Sequence, residues 1–229
     1  MFLKICANTN LEDARLAAEM GADAVGFVFA PSKRQVTAEQ VAEIVAGLPA
    51  EVEKVGVFDA TDPFEIEHVV ACAELTAAQL HGRYDAELVG LLSEESGGRL
   101  KIIQTVAYEL EPASREAADA EFAAQLCAAF ADELVWAVLL DAAKSGASGG
   151  LGVAFDWKHV AEIVEREMPA GRSRPRVILA GGLSAENVAA AIAALRPWGV
   201  DVASGVEAVP GKKDPAKLRA FIERVRQSV

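Results

Sequence analysis

Eight short apolar runs alternate with eight segments of helical period along this chain. The runs fall at residues 2–6, 24–29, 53–58, 77–81, 100–106, 135–141, 177–179 and 200–203. Each is too brief for a helix and rich in consecutive Val, Ile, Leu or Ala, the pattern of strands covered on both faces. Between them the spacing predicts helices at 11–20, 38–47, 62–72, from 85, at 116–131, 156–167, 185–195 and 215–227. Strands of this kind separated by amphipathic helices imply an α/β protein with a parallel sheet. Eight such units in 229 residues fit a single (β/α)8 TIM barrel of minimal length, one domain over residues 1–229. An open, doubly wound sheet is the competing architecture.

The stretch 177–207 adds a chemical constraint to the architecture. It reads as strand, glycine turn (Gly181, Gly182), helix capped by Ser184, strand, and a second small-residue turn (Ser204, Gly205). Two neighbouring strand ends then offer backbone N–H groups that no side chain obstructs, a means of cradling a phosphate. In barrels of this class a frequent phosphate site lies after strands seven and eight. The alternative is that both are tight turns without a ligand.

Charge excludes one class of partner. A net charge of −12 leaves no basic stripe for nucleic acid, so an anionic ligand has to be held by local groups. Three widely spaced cysteines point to a reducing compartment, the cytoplasm, rather than to a disulfide framework. No Cys/His cluster has metal-ligand spacing. The opening MFLKICAN turns polar too early for a signal peptide, and no apolar run reaches the roughly 18 residues of a membrane span.

The C-terminal ends of barrel strands form the reactive face. Strand one ends in Cys6, the loop after strand two carries Arg34, strand four ends in Gln79 and His81, and strand six ends in Asp141. A thiol, an arginine, a histidine and a carboxylate thus converge beside the two glycine turns. Each has a plainer reading: Cys6 as a small core residue, His81 as a loop-bonding group, Asp141 as a turn cap, Arg34 as a solvated charge. Their shared placement favours a site. Cys72 and Cys127, on helices, read as packing residues.

In order and spacing, these segments resemble the phosphoribosylanthranilate isomerases of tryptophan biosynthesis. The likeness is carried by KICANT at 4–9, GADAVGFVF at 21–29 with the following SKR, VEKVGVF at 52–58 and QLHG at 79–82. It continues in LLDA at 139–142, FDW at 155–157, LAGGL at 179–183 and DVASGVEAVPGKKD at 201–214. The resemblance implies a (β/α)8 barrel with no metal or organic cofactor, acting as monomer or homodimer on a small phosphoribosyl substrate. It implies an Amadori rearrangement with Cys6 as general base and Asp141 as general acid. By the same likeness Arg34 pairs with the anthranilate carboxylate, Gln79 and His81 line the site, and Gly181, Gly182, Ser204 and Gly205 form the phosphate loops. Two positions depart from the family pattern. Ala7 stands where glycine is usual, and the loop at 149–152 reads GGLG in place of GGTG.

The chemistry sets demands on these groups. A free thiol with a pKa near 8.5 is a poor base at neutral pH, so Cys6 is expected to be partly ionised by nearby positive charge. Asp141 has to retain a proton, which calls for apolar or anionic surroundings. Two other readings compete: a different phosphosugar enzyme on the same barrel, and a non-catalytic phosphate-ligand-binding protein. The related histidine-pathway isomerase works with two aspartates, whereas strand one here ends in cysteine. A pure binding protein needs neither Cys6 nor Asp141.

Overall fold

The computed structural model describes residues 1–144, 147–148, 156–169 and 174–228. The barrel strands are β1 (Phe2–Ile5), β2 (Ala24–Val28), β3 (Glu53–Phe58), β4 (Ala77–Leu80), β5 (Lys101–Glu109), β6 (Val135–Lys144), β7 (Val177–Leu179) and β8 (Gly199–Val202); short antiparallel strands lie outside the ring at Ala147–Ser148, Glu207–Val209 and Lys212–Lys213. Each pairs in parallel with its neighbour, and β8 pairs with β1. The β5–β6 ladder closes the ring, so the sheet is a barrel and not the open, doubly wound alternative. Strands β5 and β6 run three residues past their expected ends. The expected Gly/Ser-rich loop after β6, with its GGLG run, lies largely outside the described residues.

The helices are α1 (Leu11–Glu19), α2 (Ala38–Val45), α3 (Pro63–Cys72), α4 (Ala86–Glu95), α5 (Arg115–Ala131), α6 (Trp157–Glu167), α7 (Val188–Leu195) and α8 (Pro215–Arg226). Seven begin at a polar side chain that accepts a bond from an otherwise unpaired first-turn N–H: Asn10, Thr37, Asp62, Asp85, Ser114, Asp156 and Asp214. At α2 the cap is reciprocal, Thr37 with Gln40. The exception is α7, which starts three residues later than the expected Ser184 cap would place it. Asn187 precedes it, but its side chain serves the turn behind it, accepting from Ser184 N at 2.8 Å and donating to Gly182 O at 2.9 Å. The residue that could have capped the helix braces the glycine turn instead.

Strand alternation sorts the side chains into two shells. Ala24, Val55, Ala77, Ile103, Ala137, Leu139, Ile178 and Ala180 fill the barrel, while a larger apolar layer lies between strands and helices. Phe2 closes the floor, stacked on Trp198 at 4.6 Å and meeting Trp136 edge-on at 5.7 Å. The Arg176 guanidinium lies over both indoles. These rings fill the floor of the barrel at the N-terminal ends of the strands. Among the described residues no helix is long and apolar enough to cross a membrane.

Candidate active site

A cavity of about 180 Å³ opens at the C-terminal ends of the strands. Cys6, Arg34, Gln79, His81, Asp141, Gly181, Gly182 and Ser204 all line it. Of the residues expected at the site, only Gly205 does not. A Cβ at Gly205 would stand 1.9 Å from the carbonyl oxygen of Leu183, inside its van der Waals envelope. Its role is to let the turn after β8 lie backbone against backbone on the turn after β7, behind the wall rather than in it. Gly205→Ala is therefore expected to force the two turns apart. Competition by inorganic phosphate should weaken about tenfold or more, and an unchanged inhibition constant would show that the two turns do not act as one cradle.

The cysteine is held from both sides of β1. Its N–H bonds Val202 O at 2.8 Å, and Asn8, fully buried, donates to Ile5 O at 2.7 Å and Gly26 O at 3.2 Å. Between them Ala7 takes φ +61°, a left-handed backbone that costs an L-residue about 1–2 kcal/mol. A glycine, which the family resemblance leads one to expect here, would take that conformation without the cost. Gly26 makes room for the side chains themselves, since a Cβ there would lie 2.7 Å from Cys6 Sγ and 3.2 Å from Lys4 Cε. The bare α-carbon is what allows both to point inward.

Beneath the mouth lies a layer of buried charge. Lys4 Nζ bonds Asp201 Oδ1 at 3.0 Å. Arg34 grips Glu207 through Nε to Oε1 at 2.9 Å and Nη2 to Oε2 at 2.7 Å. Glu207 in turn accepts from Gly211 N at 3.3 Å and Lys213 Nζ at 3.5 Å, and Lys213 also donates to Cys6 O. Burial works against the Glu207 charge, but the Arg34 bonds and the neighbouring cations outweigh it and hold the carboxyl below its usual range. Burial likewise pulls Lys213 down and prevails over its anionic neighbours.

The thiol differs from expectation. Local cations are present, yet burial pushes Cys6 up, Lys4 only partly offsets this, and Asp201 adds to the upward push. For Lys4 the balance is reversed. Burial lowers it, but Asp201 and Cys6 together hold the ammonium charged beyond its usual range.

Two wall residues keep unused hydrogen-bonding capacity. Gln79 donates to Thr105 Oγ1 at 3.2 Å, while its Oε1 is buried without a protein partner, as is His81 Nδ1. A buried polar atom without a partner is costly, so these two are placed to meet a polar ligand. Gln104, behind the wall, donates to Gly82 O at 2.8 Å and steadies the loop that carries His81. Asp141 reaches the same cavity from β6, three strands round the barrel from β1.

Lys4, Asp201, Glu207 and Lys213 were not singled out as site residues by the sequence. A usable signal was strand parity: Lys4 shares the inward side of β1 with Cys6, and Asp201 is its register partner on β8. Glu207 and Lys213 sit on a small hairpin after β8, where no period marks them.

A thiol and a carboxylate on one mouth of a (β/α)8 barrel, flanked by paired glycine turns and a braced arginine, define an acid–base enzyme for small phosphorylated sugars. Residues 3–224 match the model of the N-(5'-phosphoribosyl)anthranilate (PRA) isomerase family. A relative of that name from Desulforudis audaxviator is 42% identical over 228 residues, covering 99% of this chain and 98% of its own. The crystal structure of the Thermotoga maritima phosphoribosyl anthranilate isomerase superposes with a TM-score of 0.80 at 36% identity, covering 99% of both chains. A further isomerase structure, in complex with reduced 1-(o-carboxyphenylamino)-1-deoxyribulose 5-phosphate, gives 0.76 at 36% identity and the same coverage. The chain belongs to the N-(5'-phosphoribosyl)anthranilate isomerase family.

Proposed function

We propose that this cavity carries out the Amadori rearrangement of N-(5-phosphoribosyl)anthranilate to 1-(2-carboxyphenylamino)-1-deoxyribulose 5-phosphate. It would do so as a single barrel domain over residues 1–229, in the cytoplasm and within tryptophan biosynthesis. The observation that carries this reading is the meeting of Cys6, Asp141, Arg34, Gly181, Gly182 and Ser204 in one cavity. Asp141 protonates the ribose ring oxygen as the C1–O bond breaks and the anilino nitrogen closes a Schiff base. Cys6, as thiolate, removes the proton from C2, and the released electron pair neutralises the iminium to give an enolamine. That species passes its hydroxyl proton to solvent and gains one at C1, becoming the aminoketose. The turns at Gly181–Gly182 and Ser204 hold the phosphate, and Arg34 meets the anthranilate carboxylate. Binding the two ends of the substrate orients the reacting carbons between base and acid.

Turnover followed by loss of the substrate's fluorescence tests the assignment. Arg34→Ala alone is ambiguous, because it also strips buried Glu207 of its main partner. Arg34→Lys keeps a cation for Glu207 but cannot present the planar fork. It is expected to raise KM about tenfold or more with kcat changed less, the scale of one lost charge-assisted hydrogen bond. An unchanged KM would remove Arg34 from the substrate contact, and absence of any turnover in the unsubstituted protein would remove the reaction.

A further inference from the structure

The inward side of β1 carries Lys4 one step below Cys6, and β8 sets Asp201 level with Lys4 as its register partner. The Lys4 ammonium, wholly enclosed, bonds Asp201 Oδ1 at 3.0 Å. It also serves the sulfur: Lys4 Cε and Cys6 Sγ crowd the same face of Gly26, which sets the ammonium near enough for its charge to act on the thiol. One cation is thus shared between two groups that can each be anionic. Further titratable and charged groups stand around the same cavity on the surrounding elements. Lys213, tied to Glu207, approaches from the hairpin, Arg34 from the loop after β2, His81 from the end of β4 and Asp141 from β6.

We propose that the Lys4–Asp201 pair sets the charge carried by Cys6, with Lys4 the counter-ion of the thiolate and Asp201 competing with the sulfur for that cation. Asp201 borders the cavity, so a ligand group that donates a hydrogen bond to it loosens its hold on Lys4 and favours thiolate as substrate arrives. At rest the thiol remains protonated, in accord with the upward push it receives from burial and from Asp201. Lys4 and Asp201 are positioning residues here, acting through Cys6. The catalytic consequence rests on Cys6 being the base, but the charge on sulfur can be read without turnover.

The test is the pH profile of Cys6 alkylation by iodoacetamide, in a background where Cys72 and Cys127, which are exposed and not the packing residues expected of them, are serine. Asp201→Asn is expected to move the midpoint to lower pH and to speed alkylation at pH 7 about tenfold, the scale of one like charge removed from beside a buried group. Lys4→Met is expected to move it the other way by a similar factor, and Lys4→Arg to stay near the starting profile. A purely structural role predicts no opposite signs. Asp201→Asn leaving the midpoint unchanged, or raising it, overturns the proposal. Should Lys4→Met not fold, the neutral pair Lys4→Met with Asp201→Asn replaces it, and its midpoint should lie above that of Asp201→Asn alone; a lower one overturns the proposal. If Asp201→Asn lowers the midpoint while Cys6→Ser turns over normally, the charge control stands and the base assignment falls.

Discussion

Cys6→Ser is expected to lower kcat by about 10²–10⁴-fold and to leave KM nearly unchanged, the usual contribution of a positioned base. Serine fits the space over Gly26, and the Val202 and Asn8 bonds that hold this turn are to backbone and survive the change. What is lost is a group that ionises in reach of neutral pH. The pH dependence follows from the direction of the thiol shift. Burial raises Cys6, so kcat/KM of the unsubstituted enzyme should climb with pH through a range above the ordinary thiol value. Residual activity of Cys6→Ser should lack that climb. Steady-state rates from pH 6 to 10 decide the matter, and near-normal turnover in the serine variant would dismiss Cys6 as base.

Asp141→Asn is expected to cost a similar factor, because an amide has no proton of useful acidity for the ring oxygen. Its signature is the opposite limb. With an acid and a base both required, the active form of the pair holds a single proton, and the bell belongs to the pair rather than to either residue. Removing the acid leaves a rate that rises through the thiol range and then stays level. Removing the base leaves one that only falls. A bell that persists unchanged in Asp141→Asn would mean that another group protonates the sugar.

Much of this molecule was legible because its signals are local. Strand runs, cap residues and glycine turns act over a few residues, so elements placed by periodicity coincide with observed ones to within one to three positions. The misplaced start of α7 shows where local reasoning stops. Ser184 has the right chemistry for a cap, but Asn187 is committed to Gly182 and Ser184, and the tertiary demand on the turn overrides the helix. Gly205 belongs to the phosphate cradle by its motif alone. Whether a glycine faces a ligand or a neighbouring carbonyl depends on a turn about 20 residues away, at Leu183. The buried charges were hidden for the same reason. Lys4 meets a partner 197 positions along the chain and Arg34 one 173 positions along, separations over which composition carries no information. The direction of the Cys6 shift depended on both burial and Asp201, and neither is visible from KICAN.

The seam between β1 and β8 joins the two extremes of translation order. Cys6 and Lys4 leave the ribosome close to two hundred residues before Asp201, Glu207 and Lys213. A nascent chain that has emerged only as far as β7 has Cys6 but no counter-charge for Lys4, no hairpin to grip Arg34, and no turn after β8. Six of the eight ladders can form in sequence as the polypeptide grows, yet the reaction centre has to wait for the eighth strand. Ring closure and acquisition of activity are thereby a single late event. Products that end before β8 are therefore expected to show no isomerase activity in a turnover assay.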